Sequence, residues 1–197
     1  MLLDNTPFDV EYRSKVDYQQ KIGQNPAYSR MDALSKDLFY WINVLREDPI
    51  YFADTIIPLF LRSYPSADTS NIPGLLTDLR SSKQLPHLLP DAMLMKASMT
   101  HAYDLMTNSK SISHYSSDGK DFSVRMNEAG VTTCASENLY FGKPNALLAL
   151  VLLLIDHGVP DFGHRKAILE PEFVRMGSAF KINSDGYAIL VQQFMCN

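Results

Sequence analysis

The stretch from Ser113 to Leu169 reads S-H-Y-S-S-D-G at 113–119, S-E-N-L-Y-F-G at 136–142 and I-D-H-G-V-P-D-F-G-H-R-K-A-I-L at 155–169. It contains three of the five histidines of the chain and three carboxylates: His114, His157, His164, Glu137, Asp156 and Asp161. Most of them stand beside Gly, Ser, Asn or Pro, which are typical of loops that present side chains at the ends of helices and strands. Imidazole and carboxylate groups in such places favour a metal site or an acid/base cleft.

An apolar run, Ala146–Ile155, lies between these motifs. It is about half of the roughly 20 residues that a membrane span needs, so it predicts a buried core helix. Pro144 is expected in the first turn of that helix. Because a helix that is apolar on all sides must be covered on more than one side, the run favours a layered α/β fold over a simple bundle.

Helical periodicity is clear before this stretch. From Asp32 the residues Leu34, Leu38, Trp41, Ile42 and Leu45 share one face, which predicts a helix that ends before Pro49 and places Trp41 in the core. Further helices are predicted near 49–57, 75–79, 91–108 and 122–129. In the helix at 91–108, His101 lies on the apolar face, where a histidine is more often a hydrogen-bonded core residue than a ligand.

Strand patterns are concentrated towards the end of the chain. Residues 176–182 and 187–194 predict two strands joined by a hairpin turn at N-S-D-G, 183–186, and residues 137–141 predict another strand.

Length and composition indicate one globular domain at residues 31–197, preceded by an extended arm at residues 1–30 that has no sustained periodicity. The formal net charge of -4, with scattered Lys and Arg, excludes the electrostatic footprint of a nucleic-acid-binding protein. The chain as given starts without a signal peptide, as a processed secreted protein also would. No transmembrane segment is predicted.

The two cysteines, Cys134 and Cys196, have neither a metal-ligand nor a redox C-x-x-C spacing. They either bridge the segment before Glu137 to the C-terminus or remain two reduced thiols. A bridge over so long a loop would contribute about 4 kcal/mol to stability in the chain-entropy account.

The order of several motifs resembles a known family. S-H-x-S-S-D-G at 113–119 is followed by R-x-x-x-A-G at 125–130, E-N-L at 137–139, G-H-R-x-x-I-L at 163–169, F-x-x-M-G at 173–177 and Q-x-F at 192–194. This order resembles the CAP superfamily of cysteine-rich secretory proteins, antigen 5 and pathogenesis-related 1 proteins, in particular its bacterial SCP-like extracellular branch. The likeness covers about residues 33–195, and L-x-x-W-I-N-V-L-R-E-D-P at 38–49 resembles the opening helix of that branch.

The resemblance implies a three-layer α-β-α sandwich with a small, mainly antiparallel central sheet, and a cleft with two histidines and two acidic residues. His114, Glu137 and His164 match three of these positions. The fourth, in many relatives a Glu one turn after a Trp, falls here in L-L-I-D-H-G at 153–158. Asp156 is the preferred match, and His157 is its competitor.

The expected function is that of a secreted, extracellular or periplasmic binding module. Its cleft at His114, Glu137, Asp156 and His164 would bind a peptide, lipid or small ligand and hold a divalent metal, zinc first, through His114 and His164. The alternatives are a metal- or His-dependent hydrolase of peptide or ester bonds, a buried structural network, and an interaction protein that uses loops such as 63–73.

The serines, the arginine and the asparagine that stand near the cleft residues in the sequence are not expected to be catalytic. The serines Ser113, Ser116 and Ser136 are not favoured as nucleophiles because the chain has no G-x-S-x-G elbow. Arg165 is expected to form a surface ion pair with Asp161 or Glu170. Asn138 is expected to bond the backbone next to it and so to hold Glu137 in place.

Overall fold

The computed structural model describes residues 8, 22–109 and 111–197, so the predicted arm at 1–30 lies largely outside the described residues. Within that arm, Pro26–Ser29 form a helical turn, α1, capped by the side chain of Asn25. The helices that follow in chain order are α2 (Ala33–Glu47), α3 (Pro49–Tyr51), α4 (Ile57–Ser63), α5 (Ile72–Ser81), α6 (Ala92–Thr107), α7 (Phe122–Glu128), α8 (Ala146–Ile155) and α9 (Gly163–Leu169). A π-helical segment, Phe52–Ile56, joins α3 to α4 without a break.

The sheet contains β1 (Leu89–Pro90), β2 (Ala135–Gly142), β3 (Arg175–Ile182) and β4 (Ala188–Met195) in the order β1-β3-β4-β2. The pairing of β1 with β3 is parallel, and the other two pairings are antiparallel. The turn between β3 and β4 has Gly186 at φ 77°, a conformation that glycine adopts without a steric penalty. The predicted hairpin is therefore confirmed.

Helices cover both faces of this sheet. Leu139, Ile189 and Val191 pack on one face against Ala102 and Leu105 of α6. The alternate residues of the same strands face the larger core, which α2 and α8 complete on the other side, because successive side chains of a strand point to opposite faces. The predicted three-layer α-β-α sandwich with a small, mainly antiparallel sheet is confirmed.

Local sequence explains where the layers begin and how closely they pack. Asp91 caps α6 by accepting hydrogen bonds from the Met93 and Leu94 amides at 2.9 and 3.1 Å. At Gly177 of β3 the backbone of α6 comes so near that a Cβ would overlap the backbone of Leu94 and Met95. A glycine at this position therefore sets the distance between α6 and the sheet.

Helix α8 is buried along almost its whole length, as its composition predicts. Its first turn differs from the prediction, because Asn145 is the N-cap and accepts a hydrogen bond from the Leu148 amide at 2.9 Å. Pro144 therefore lies before the helix and not in its first turn. No helix in the described ranges is long and apolar enough to cross a membrane.

The fully buried guanidinium of Arg46 joins α2 to the segments around α9. It donates to the carbonyls of Pro86, Ile168, Glu170 and Phe173 at 2.7 to 3.0 Å. Burial lowers the pKa of Arg46 to about 10, so the side chain remains charged at neutral pH. Arg46 thereby fixes the C-terminal end of α9.

Cys134 and Cys196 form a disulfide that joins the residue before β2 to the residue after β4. A backbone hydrogen bond of 3.0 Å from the Cys196 amide to the Cys134 carbonyl extends the strand pairing to the same two residues. The structure thus selects the bridge over two reduced thiols.

Candidate functional site

The first half of the site is a pair formed by His114 and Glu137. His114 lies on the loop after α6, with half of its side chain exposed, and its Nδ1 is 2.9 Å from Oε1 of Glu137. Glu137 is on β2, where its side chain is 1% exposed. A carboxylate oxygen only accepts hydrogen bonds, so Nδ1 carries a proton, and in the neutral imidazole Nε2 keeps its lone pair.

The carboxylate of Glu137 is saturated with hydrogen bonds. Arg125 of α7 donates from Nη1 to Oε2 at 3.0 Å and from Nη2 to Oε1 at 2.8 Å. Gln193 of β4 donates from Nε2 to Oε2 at 2.8 Å, and the hydroxyl of Ser98 of α6 in turn donates to the side-chain oxygen Oε1 of Gln193. Together with His114 these donors occupy about all four lone-pair positions of the carboxylate.

Arg125 also secures the loop that carries His114, because its Nη2 donates to the His114 carbonyl at 2.8 Å. Burial lowers the pKa of Arg125, and the adjacent Glu137 charge acts in the opposite direction. One guanidinium therefore holds both the acid and the backbone of its histidine partner, an arrangement that bidentate Arg–carboxylate geometry makes rigid.

His101 of α6 lies behind this pair and is 1% exposed. Its Nε2 is 3.0 Å from the Ser113 carbonyl and 3.9 Å from Oε1 of Glu137. Burial lowers the pKa of His101, an effect that Glu137 opposes and Arg125 reinforces. The interpretation of His101 as a hydrogen-bonded core residue is confirmed.

The second half of the site is a pair formed by Asp156 and His164. Nδ1 of His164 is 2.6 Å from Oδ1 of Asp156, whose side chain is fully buried. Asp156 follows the last residue of α8 with φ 58°, in the left-handed region that Asp tolerates better than most residues. As for His114, the contact with a carboxylate oxygen places a proton on Nδ1 of His164, and in the neutral imidazole Nε2 keeps its lone pair.

His157, the competitor for the fourth position, is not part of this pair. Its imidazole is half exposed and lies 3.4 Å from Asp68 on another loop. The structure therefore brings Asp156, and not His157, to His164.

Arg165 was expected in a surface ion pair with Asp161 or Glu170, and this expectation is wrong. The residue is 3% exposed, and its partner is Asp78 of α5 at 2.9 Å. Its Nε donates to the Leu154 carbonyl at 2.7 Å, and its backbone amide donates to Oδ2 of Asp156 at 3.1 Å. Arg165 thus joins the end of α8 to the start of α9, as cations at helix C-termini often do.

Asn138 links the two pairs through β2. It follows Glu137 but points to the opposite face, where its amide donates to the His164 carbonyl at 3.3 Å and to the Gln192 side chain at 3.1 Å. The expected bond to the adjacent backbone is therefore not the one that forms. Consecutive residues of β2 therefore contact the two halves of the site: Glu137 contacts His114, and Asn138 contacts His164.

The described residues supply two imidazole ligands, but no group of three ligands that includes them. Within residues 8, 22–109 and 111–197, the side chains that bring three potential metal-ligand atoms within 4.8 Å of one another are those of Cys134, Glu172 and Cys196. Its two cysteines are bonded to each other and so offer no thiolate. In the neutral rings, Nε2 of His114 and Nε2 of His164 are each potential metal donors, whereas the carboxylate of Glu137 is saturated with hydrogen bonds.

Arg125, Gln193 and Asp78 are the residues of this site that the sequence does not identify as partners. Arg125 is the first residue of the motif R-x-x-x-A-G, whereas Gln193 occupies the unspecified position of Q-x-F at 192–194, so only Arg125 is marked by a pattern. Their pairing with Glu137 depends on the register of β2 with β4 and on the docking of α7.

A model of the family described as CAP, the cysteine-rich secretory protein family, matches residues 74–194. This range contains both histidine–carboxylate pairs and Arg125. A search of curated protein sequences found no match.

Similar solved structures include an extracellular protein containing an SCP domain from Bacillus anthracis str. Ames, with 24% identity and a TM-score of 0.47 over 66% of this chain. This chain covers 41% of the length of that protein. An outer surface protein from Borrelia burgdorferi has 23% identity and a TM-score of 0.48, over 66% of this chain and 96% of its own. The zinc-bound structure of NaASP2 has 13% identity and a TM-score of 0.47, over 83% and 80%.

Proposed function

This chain belongs to the cysteine-rich secretory protein (CAP) family, and on that premise we propose that it is a non-enzymatic binding protein that holds a divalent metal through His114 and His164. Zinc is the preferred ion, because two neutral imidazoles suit it and leave positions for water or for a donor atom of a ligand. The ligand class is a peptide, a lipid or another small molecule.

The observation that carries this proposal is the buried carboxylate at Nδ1 of each imidazole. Glu137 and Asp156 each accept from the Nδ1 of their histidine, at 2.9 and 2.6 Å. A carboxylate behind a ligating histidine is the usual means by which proteins fix its tautomer and raise its basicity towards a metal. Buried carboxylates in these places are therefore better suited to orienting the ligands than to binding the metal themselves.

We place the protein outside the cytoplasm, in the extracellular space or the periplasm. The disulfide between Cys134 and Cys196 supports this location, since such bonds persist in oxidising compartments and are rare in the cytosol. The secretory proteins that give the family its name are in line with it.

The test is a zinc titration by calorimetry on the chelator-stripped protein at about pH 7.5, where imidazole is mostly neutral. Replacing either His114 or His164 by Ala should abolish binding of micromolar or better affinity. His157→Ala is the matched control, because this exposed histidine lies beside a carboxylate but outside both pairs. Repeating the titration at about pH 5 should weaken binding, since a metal competes with protons for imidazole nitrogen.

Two results would overturn the metal proposal. One is zinc affinity that is unchanged in the His114 and His164 variants, and the other is the absence of zinc binding by the unmodified protein. In the second case the two pairs remain a hydrogen-bonded network that docks the loop after α6 and helix α9 onto β2.

A hydrolase is the second candidate, because the same geometry orients a general base. Each Nε2 is a base whose imidazole is fixed by a buried acid, which is the arrangement that activates a nucleophile or a water. A metal bound there would supply an acidified water. The two functions separate by turnover of peptide and ester substrates: a hydrolase loses its rate in His114→Ala and His164→Ala, whereas a binding protein has no rate to lose.

A further inference from the structure

The outer edge of β3 has a strand partner along only part of its length. β1 pairs with Arg175 and Met176, and β4 lies on the opposite side of β3. Among the described residues, therefore, no strand pairs with the outer edge from residue 177 onwards. Such an edge presents backbone N–H and carbonyl groups to which another extended chain can bind.

Hydrogen bonding shows which residues of β3 face outwards. The Ser178 carbonyl accepts from the Ser35 hydroxyl of α2 at 3.3 Å, so Ser178 faces away from β4. Alternate residues of a paired strand direct their backbone groups to the same side, so Phe180 and Ile182 also face outwards. Within the described ranges, their backbone groups have no hydrogen-bond partner on this side. Each of the two residues offers one donor and one acceptor.

A groove of about 580 Å³ lies along this edge. Residues 178–181 of β3 form its base, and its walls are formed by α6 and by the segment 26–32. Three methionines line it: Met31, Met95 and Met99. Methionine side chains are flexible and polarizable, so the groove can adapt to apolar side chains of different shapes.

The lining of the groove is positively charged. Its charged side chains are three cations and one carboxylate: Arg30, Lys96, Lys181 and Asp32. Asp32 is engaged as the N-cap of α2, where it accepts from the amide and the hydroxyl of Ser35 at 2.8 and 2.7 Å. None of the three cations has an ion-pair partner in the part of the chain that the structure describes. The groove is therefore complementary to carboxylates, although the chain as a whole has a formal net charge of -4.

We propose that this groove binds an extended acidic segment of another protein, which adds a strand to the outer edge of β3. The backbone of the segment pairs with Phe180 and Ile182, and its apolar side chains pack on the methionines. Its carboxylates bind the cations of the lining. Neither His114 nor His164 belongs to the described lining, so the groove is a site separate from the proposed metal ligands.

A second copy of this chain is a poorer occupant of the same edge. Two β3 edges related by a twofold axis would be antiparallel, and the cations of the two grooves, including Lys181, would lie close together. Like charges that face each other across paired strands are destabilising. The charge of the groove therefore favours a partner that carries carboxylates.

The probe is the peptide acetyl-Glu-Val-Glu-Val-Glu-amide, titrated into ¹⁵N-labelled protein in EDTA and followed by NMR. The amide signals of Phe180 and Ile182 should shift and saturate with a dissociation constant of about 0.1 mM. The same peptide with Lys in place of Glu should bind at least about tenfold more weakly, because the cations of the groove repel it. Raising NaCl from about 50 to about 500 mM should weaken the acidic peptide, since salt screens the attraction.

Lys96→Glu and Lys83→Glu form a matched pair of variants that test the charge. Both lysines are exposed, and only Lys96 lines the groove. Lys96→Glu should weaken the acidic peptide at least about tenfold, whereas Lys83→Glu should leave its affinity unchanged.

Ile182→Pro and Ile182→Val test the strand pairing. Ile182 is 53% exposed and its N–H faces the free edge, so proline removes a donor without removing a hydrogen bond to β4. Valine keeps the N–H and the branched side chain. Ile182→Pro should weaken the acidic peptide at least about fivefold, whereas Ile182→Val should bind it as the unmodified protein does.

Four results would overturn the proposal: no shift at about 2 mM peptide, equal affinity for the acidic and basic peptides, equal affinity in the two Lys variants, or equal affinity in the two Ile182 variants. A dimer in sedimentation equilibrium that Ile182→Pro converts to a monomer would also overturn it and would assign the edge to a second copy. Because EDTA is present throughout the titrations, none of these results depends on whether His114 and His164 bind a metal.

Discussion

Replacing Arg125 by Met tests whether one buried guanidinium holds the first half of the site together. The variant keeps much of the side-chain volume and removes three hydrogen bonds, two to Glu137 and one to the His114 carbonyl. Glu137 would then be a buried carboxylate without a permanent countercharge, although Gln193 and His114 still donate to it.

The exposed fractions of the two side chains determine the size of the effect. They are 11% for Arg125 and 1% for Glu137, so water cannot replace the lost partner. Removing one member of a buried ion pair costs about 3–5 kcal/mol. For a domain of this length the melting temperature should fall by about 6–20 °C, at about 2–4 °C per kcal/mol. Adding Glu137→Gln to Arg125→Met removes the stranded charge and should recover at least about 1 kcal/mol.

The assay is urea unfolding followed by the fluorescence of Trp41, the single tryptophan, which is 7% exposed. Arg80→Met is the matched control, because Arg80 binds Asp54 at 2.8 Å with both side chains more than half exposed. An exposed pair contributes at most about 1 kcal/mol. The reasoning fails if Arg125→Met costs no more than Arg80→Met, or if the double variant is no more stable than Arg125→Met alone.

Further predictions concern packing, pH and the disulfide. Gly177→Ala should cost at least about 2 kcal/mol in thermal melts, since its Cβ overlaps the backbone of α6; an unchanged melting temperature would contradict this. Burial lowers the pKa of His101 below its ordinary 6.5, so its contribution to stability is present above pH 6.5 and lost as the pH falls through the folded-state pKa. The urea midpoint should therefore drop between about pH 7.5 and about pH 5 by less in His101→Gln than in the unmodified protein. Reducing the Cys134–Cys196 bond, 62 residues apart, should remove about 4 kcal/mol, and equal melting temperatures with and without reductant would refute that figure.

The elements of the fold were largely predictable, because each depends on a local pattern. The stripe from Leu34 to Leu45, the helix near 91–108 and the turn at 183–186 are readable within a few residues, and the structure has them where the sequence predicts them. The start of α8 differs from the prediction, because Asn145 is the better cap and Pro144 is tolerated just outside the helix.

The partners of charged groups were not predictable from local sequence. Arg165 has an acid on either side of it in the chain, Asp161 and Glu170, yet it is buried against Asp78, 87 residues away. Arg46 likewise bonds carbonyls 122 and 127 residues distant. Residue spacing and periodicity do not predict these long-range contacts, because the contacts depend on how α5, α8 and α9 dock.

The sequence by itself predicted the layered α/β architecture, and its ordered motifs pointed to His114, Glu137 and His164 with Asp156 or His157 as the fourth residue, since periodicity and ordered motifs are properties of the chain. Tertiary structure alone decided which acid meets which histidine and on which nitrogen. It also decided that Glu137 has no lone pair left for a metal, because Arg125 and Gln193 reach it from α7 and β4. The number of hydrogen bonds that an atom makes depends on every element packed around it, and a linear sequence does not contain that information.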